Sequence, residues 1–206
     1  EMTSSLVGSE MCIRDRNSAM WGHTYSYIFP QIYQSENATR DKHSGFFGIT
    51  KILKVEVMHR VTDYYGSIVY THFADPDAEY APDTQEAVYK EFFCELDTAV
   101  TVLTDYVESN PEAAEFSRFD ILMDGKYTSW IKFANSLRMR LAMRISAVEP
   151  DKACVEFQEG LNNEYGVFEA ETERVAVSTK SGYTNPLGEL LSLIHISEPT
   201  RLDVIS

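Results

Sequence analysis

The chain has 206 residues, 44% of them hydrophobic, and a formal net charge of -14, enough apolar content for one sizeable core or two small lobes. The acidic balance, with no cluster of Lys and Arg, excludes phosphate-backbone binding, because nucleic-acid binders concentrate cations that displace counterions. No apolar run approaches the roughly 20 residues that span a bilayer, no signal-peptide pattern opens the chain, and Cys12, Cys94 and Cys154 have neither metal-ligand spacing nor the density of a disulfide scaffold.

The two ends read as non-native. Leu191–Arg201 can be encoded by DNA whose reverse complement, read from its second base, encodes Leu6–Asp15. Selection does not produce two protein termini from opposite strands of one DNA segment, and that segment resembles a sequencing-library transposon adaptor. Residues 1–16 and 191–206 are therefore set apart from the fold, and 17–190 is read as the authentic portion, itself still acidic. Any signal or anchor of the natural protein is expected beyond this sequence.

In chain order, Ala19–Ser35 carries Trp21, Tyr25, Ile28 and Ile32 at helical steps, with Pro30 expected to kink or break it. A second helix is predicted from Gly48 to about Tyr65, with Ile49, Leu53, Val57, Val61 and Tyr64 on one face, Glu56 four residues before Arg60, and Gly66 as the stop. Ser67–Phe73 reads as a short extended stretch, followed by an acidic, turn-rich loop. Asp83-Thr-Gln-Glu86 fits a capping box opening a strong helix, whose face Val88, Phe92, Leu96, Ala99, Val100, Leu103 and Val107 runs down to Asn110-Pro111. Asp124-Gly125 then turns the chain into Tyr127–Ser146, the longest helical signal.

In that last helix Trp130, Phe133, Ala134, Leu137, Leu141 and Ile145 share one side while Met139, Ala142 and Met143 fall opposite, which predicts an interior helix with a narrow wet strip at Lys132, Ser136 and Arg140. Arg138 lies beside the apolar arc and requires a carboxylate or carbonyl partner. Asp151–Asn162 supplies a further short helix. Long amphipathic helices with little strand signal indicate a mainly α fold, and two packable sides per helix suit helix pairs stacked in series.

Three passages, Val61–Tyr70, Tyr80–Ala99 and Trp130–Ser146, resemble the SusD/RagB family in content, order and spacing, and Asn185-Pro186-Leu187 also looks like a family segment. The resemblance covers most of 17–190. The usual Gly-Asp-Ile-Pro-Tyr after the second helix is here Gly66-Ser-Ile-Val-Tyr70. The resemblance implies tetratricopeptide-like helix pairs, part of a longer SusD-like α-helical fold. It implies a surface-exposed outer-membrane lipoprotein of Bacteroidetes that captures glycans or peptides without catalysis and passes them to a SusC-like TonB-dependent transporter. No cofactor is implied, and contact with the membrane is through a lipid anchor that this sequence does not contain. Cys12, in the adaptor-like end, is not the lipidated cysteine. A helical-repeat interaction scaffold and a carbohydrate-active hydrolase are the alternatives.

Glycan capture needs flat aromatic faces beside planar polar groups. Trp21, Tyr25 and Tyr27 are the candidate ligand-binding residues, and the resemblance favours Trp21, because N-terminal aromatics near the first helix lie by the ligand in SusD-like proteins. Rings at these positions equally serve helix packing, and both readings stand at this point; Asp63, Tyr64 and Tyr65 are read as structural. Asp75, Asp77, Glu79, Asp83 and Glu86 have the spacing of a calcium loop, yet Tyr80 replaces its glycine and Pro82 stiffens it, so they read as a solvated turn. Glu56-Val-Met-His59 matches one di-iron half-motif without its second copy. No carboxylate pair stands out for glycoside hydrolysis, and no phosphate loop or nucleophile elbow occurs.

Overall fold

A computed structural model describes residues 18–73, 81–111, 113, 115–169 and 175. The adaptor-like ends, the acids Asp75, Asp77 and Glu79, and Asn185-Pro186-Leu187 lie outside the described residues. The architecture is mainly α: a helical lead-in (18–23), a π turn (Thr24–Ile28), then α1 (Phe29–Thr39), α2 (Ser44–Tyr65), α3 (Gln85–Ser109), α4 (Tyr127–Ile145) and α5 (Pro150–Leu161). None of the described helices is long and apolar enough to cross a membrane.

Each helix packs chiefly on its sequence neighbours, and the contacts run antiparallel along the series. Ser35 meets Thr50 between α1 and α2; Gln85 reaches Thr62 while Glu95 meets Lys51 between α2 and α3; Asp97 meets Arg138 between α3 and α4; Glu156 meets Arg138 between α4 and α5. Short connections force this up-and-down order. The core is continuous across the stack, from Phe29 through Ile52, Val55, Phe92 and Leu96 to Trp130, Leu137 and Leu141.

Local chemistry explains where the helices differ from the sequence reading. Pro30 does not break the first arm: it occupies the first turn of α1, and the π turn before it, closed by the Phe29 N–H to the Thr24 carbonyl, opens the backbone where the proline ring would crowd the preceding turn. α2 begins at Ser44, four residues earlier than expected, because Gly45 and Gly48 lie within the helix where α3 approaches closely. A Cβ on Gly48 would stand 2.6 Å from Leu103 Cγ. Gly66 ends α2 at φ 80° as expected.

The predicted extended stretch reduces to one antiparallel bridge between Ile68 and Asp83. The helix cap shifts by one residue: Thr84, not Asp83, accepts the Ala87 N–H at 3.3 Å and caps α3. α4 enters through Asp124 (φ 53°) and Gly125 (φ 77°), both left-handed, and a side chain at Gly125 would strike the backbone of Ser117. The buried Asp120 carboxylate ties this entrance together, accepting from the N–H groups of Leu122 (2.9 Å), Met123 (3.0 Å) and Gly125 (3.0 Å) and from Trp130 Nε1 (2.8 Å).

α4 is interior along most of its girth, with Ile131, Asn135 and Ala142 buried besides the expected arc. Met143, expected inside, is 62% exposed, so the last turn of α4 shows one apolar side chain to solvent. Arg138 has the partners its burial demands: Glu156 (2.6 Å), Asp97 (2.6 Å) and Glu159 surround the guanidinium. Burial alone would lower its pKa, and the three carboxylates reverse that and raise it.

Candidate functional site

The aromatic start of the chain packs across the end of α2. Positions 21 and 25, one helical turn apart, put Trp21 and Tyr25 on one face with ring centroids 4.5 Å apart. Trp21 meets Tyr65 edge-on at 5.2 Å, its backbone N–H donates to the Tyr65 hydroxyl at 3.2 Å, and Tyr64 lies 4.9 Å beyond Tyr65. Four rings thus run in sequence, Tyr25, Trp21, Tyr65, Tyr64. Trp21 and Tyr65 are half-buried and Tyr64 is 59% exposed.

Tyr25 is the inward anchor of this run. Its hydroxyl donates to the Val69 carbonyl at 2.8 Å, and burial pushes its pKa up to about 12. Behind it Phe29 stacks flat on Tyr70 at 5.8 Å and Phe73 sits 4.3 Å from Phe29. Tyr27 is elsewhere. Two residues past Tyr25 a helix faces away, and Tyr27, 62% exposed, pairs with His23 at 5.2 Å on the outer side of the arm. The fold therefore joins Trp21 and Tyr25, separates Tyr27 from them, and adds Tyr65 and Tyr64, expected from sequence to be structural.

A buried charge box lies beneath the aromatic layer. The Glu95 carboxylate, 3% exposed, takes Lys54 at 2.5 Å, Lys51 at 3.1 Å and the Tyr70 hydroxyl; Glu36 takes Lys51 at 2.8 Å, Lys54 at 3.5 Å and Arg40 at 3.3 Å. Lys54 Nζ also sits 4.8 Å over the Tyr70 ring. Burial raises the Glu36 carboxyl, but the Lys51 hydrogen bond and the Lys54 charge outweigh it and leave the group below its ordinary value. Tyr70 is driven well above the phenol range by burial and then by the Glu95 charge. With each charge matched, the box behaves as a rigid floor.

Three concavities accompany these features. A cleft of about 300 Å³ lies among Asp63, Tyr89, Phe93, Arg144, Val148 and Lys152; its wall is tied by Tyr89 donating to Asp63 at 2.5 Å and Arg144 pairing with Asp63 at 2.9 Å. A groove of about 400 Å³ separates Met20, His23, Thr24 and Ile28 from Val57 and Val61 on α2. A third, of about 210 Å³, sits by His43, Tyr106 and Tyr127.

Among the described residues no group of three His, Cys, Asp or Glu could hold a metal ion. Of the calcium-like acids, Asp83 is engaged by backbone at residues 70–71 and Glu86 pairs with Lys90. Glu56 pairs with Arg60 and lies 3.6 Å from Arg140, while His59, buried, has Nδ1 3.1 Å from the Val55 carbonyl.

Residues 8–194 match the family model described as SusD-like, "Susd and RagB outer membrane lipoprotein". The chain belongs to this family. Among solved structures it is similar to a SusD homologue from Bacteroides vulgatus (43% identity, TM-score 0.78, covering 84% of this chain and 35% of that one) and to a chitin-binding SusD homologue from Flavobacterium johnsoniae (40%, 0.78, 84% and 36%). A SusD-like protein from Bacteroides thetaiotaomicron follows at 30% identity, TM-score 0.71, with coverage of 81% and 34%. The SusD-like chain thus spans about a third of the length of these relatives. No curated protein matches it. Membership places it among outer-membrane lipoproteins and accounts for the serial helical fold.

Proposed function

We propose that the protein is a noncatalytic glycan-capture lipoprotein of the outer-membrane surface, with Trp21 as its central contact in this part of the chain. The observation that carries this reading is the run Tyr25, Trp21, Tyr65, Tyr64, in which anchored inner rings back a half-exposed indole and an exposed phenol. Such an arrangement suits the C–H face of a pyranose, and pre-anchoring lowers the ordering cost of binding. Tyr25 backs the surface from within, and Tyr27, on the outer side of the arm, is an outlying contact for a longer saccharide.

The chitin-binding relative at 40% identity supports a glycan over a peptide as the first ligand class to test, with N-acetylglucosamine oligomers leading. In this reading the native domain is 17–190, the rest of a longer protein supplies further ligand contacts, no cofactor takes part, a lipid anchor holds the protein to the membrane, and the glycan passes to a SusC-like TonB-dependent transporter. Isothermal titration with a panel of glycans and peptides, followed by chromatography of the mixture, tests it: heat of binding with saccharide recovered intact is expected. Shortened products would instead establish a hydrolase, and silence toward every glycan and peptide would favour a scaffold.

A further inference from the structure

Asp83 does not cap α3, and its carboxylate is spent on the segment that follows α2. Oδ2 accepts the N–H groups of Tyr70 and Thr71, both at 2.9 Å, and Oδ1 accepts the Thr71 hydroxyl at 2.7 Å. The Asp83 backbone exchanges a further pair with Ile68, at 3.2 and 2.8 Å. Five hydrogen bonds from one residue therefore fix the backbone on both sides of Val69. The Val69 carbonyl is the acceptor of the Tyr25 hydroxyl at 2.8 Å, and Tyr25 packs on Trp21.

We propose that Asp83 is a positioning residue for the ligand surface: it holds the Val69 carbonyl where Tyr25 takes it, and through Tyr25 it sets the pose of the Trp21 ring. The inference rests on the reading of Trp21 as the glycan contact. An acceptor-only carboxylate suits this place, since all three groups directed at it are donors. The helix interfaces do not depend on it: Asp83 stands at the edge of the fold, while the residues joining α2 to α3, such as Ile52, Val55, Phe92 and Leu96, are fully buried away from it.

The two tryptophans allow a readout that a purely structural role would not produce. Trp130, on α4, is buried, donates its indole N–H to Asp120 in the loop before that helix, and lies far along the stack from Trp21. In fluorine NMR of fluorotryptophan-labelled protein, Asp83→Ala is expected to shift or broaden the Trp21 signal while leaving Trp130 in place. Asp83→Asn, which keeps one acceptor oxygen, should shift it less, and Tyr25→Phe, which removes the hydroxyl that reads Val69, should reproduce the effect. With a chitin-derived tetrasaccharide as the probe, Asp83→Ala should bind about tenfold more weakly, or roughly 1.4 kcal/mol. A Trp21 signal unmoved by Asp83→Ala would overturn the inference, even if Tyr25→Phe moves it; if Asp83→Ala moves both signals or fails to fold, Asp83→Asn decides, and a Trp21 signal unmoved in that variant would overturn the inference. Unchanged tetrasaccharide affinity in Trp21→Ala would sink the ligand reading instead, and the signals in the unliganded protein would still judge the coupling.

Discussion

Replacing Glu95 with leucine removes the carboxylate shared by Lys51, Lys54 and Tyr70 while keeping side-chain volume. Glu95 is 3% exposed and holds the two ammonium groups at 3.1 and 2.5 Å. After the change Lys51 and Lys54 share Glu36 alone, and the buried Tyr70 hydroxyl loses its acceptor. Truncating one partner of a buried ion pair costs about 3–5 kcal/mol. The lysine side chains keep slight access to water, at 12–13% exposure, so the lower end, about 3 kcal/mol, is expected. For a chain of this size that lowers Tm by roughly 6–12 °C. Thermal and urea unfolding of Glu95→Leu, Lys54→Met and the double variant measure it, with a coupling of about 1–3 kcal/mol between the two sites. A loss under about 1 kcal/mol, or additivity within roughly 0.5 kcal/mol, would refute the view that the box is a matched, buried unit.

Gly48→Ala should destabilise by about 1–3 kcal/mol, since the added methyl meets Leu103 at 2.6 Å across the α2–α3 contact; urea midpoints check it, and a neutral result would mean that the helices separate freely there. Burial holds the His59 imidazole below its usual range, against the opposing charge of Glu56. The unfolded chain therefore binds the extra proton first as pH falls below about 6.5. The stability that neutral His59 contributes is fully present above that value and is lost as pH drops toward the depressed folded value. Tm should decline between about pH 7 and 5, and His59→Gln should flatten that slope; an equally steep slope in the variant would contradict this.

Much of the scaffold was legible because long amphipathic periodicities survive tertiary packing. α3 and α4 start and stop within a residue or two of expectation, Gly66 ends α2, and the demand that Arg138 find carboxylates is met by Asp97, Glu156 and Glu159. The misses share a cause: the deciding partner is distant in sequence. Lys51 and Lys54 look like an ordinary solvated face until Glu36 and Glu95 arrive from α1 and α3. Gly45 and Gly48 look like a helix boundary until Tyr106 and Leu103 press on them. Asp83 and Thr84 are both good caps, and only the bridge to Ile68 assigns the aspartate elsewhere. In the candidate site, spacing alone linked Trp21 to Tyr25 and could have set Tyr27 apart, whereas Tyr65, 44 residues on from Trp21, needed the fold.

Isothermal titration of Trp21→Ala beside the parent protein, with chitin-derived oligosaccharides first and a wider glycan panel after them, tests the glycan-capture account most directly. With glycan held on the Trp21 ring, the parent binds without product and Trp21→Ala loses at least about tenfold in affinity, roughly 1.4 kcal/mol, while its thermal transition is retained. Undiminished affinity in Trp21→Ala, or a collapsed transition that returns Trp21 to the core, would contradict it.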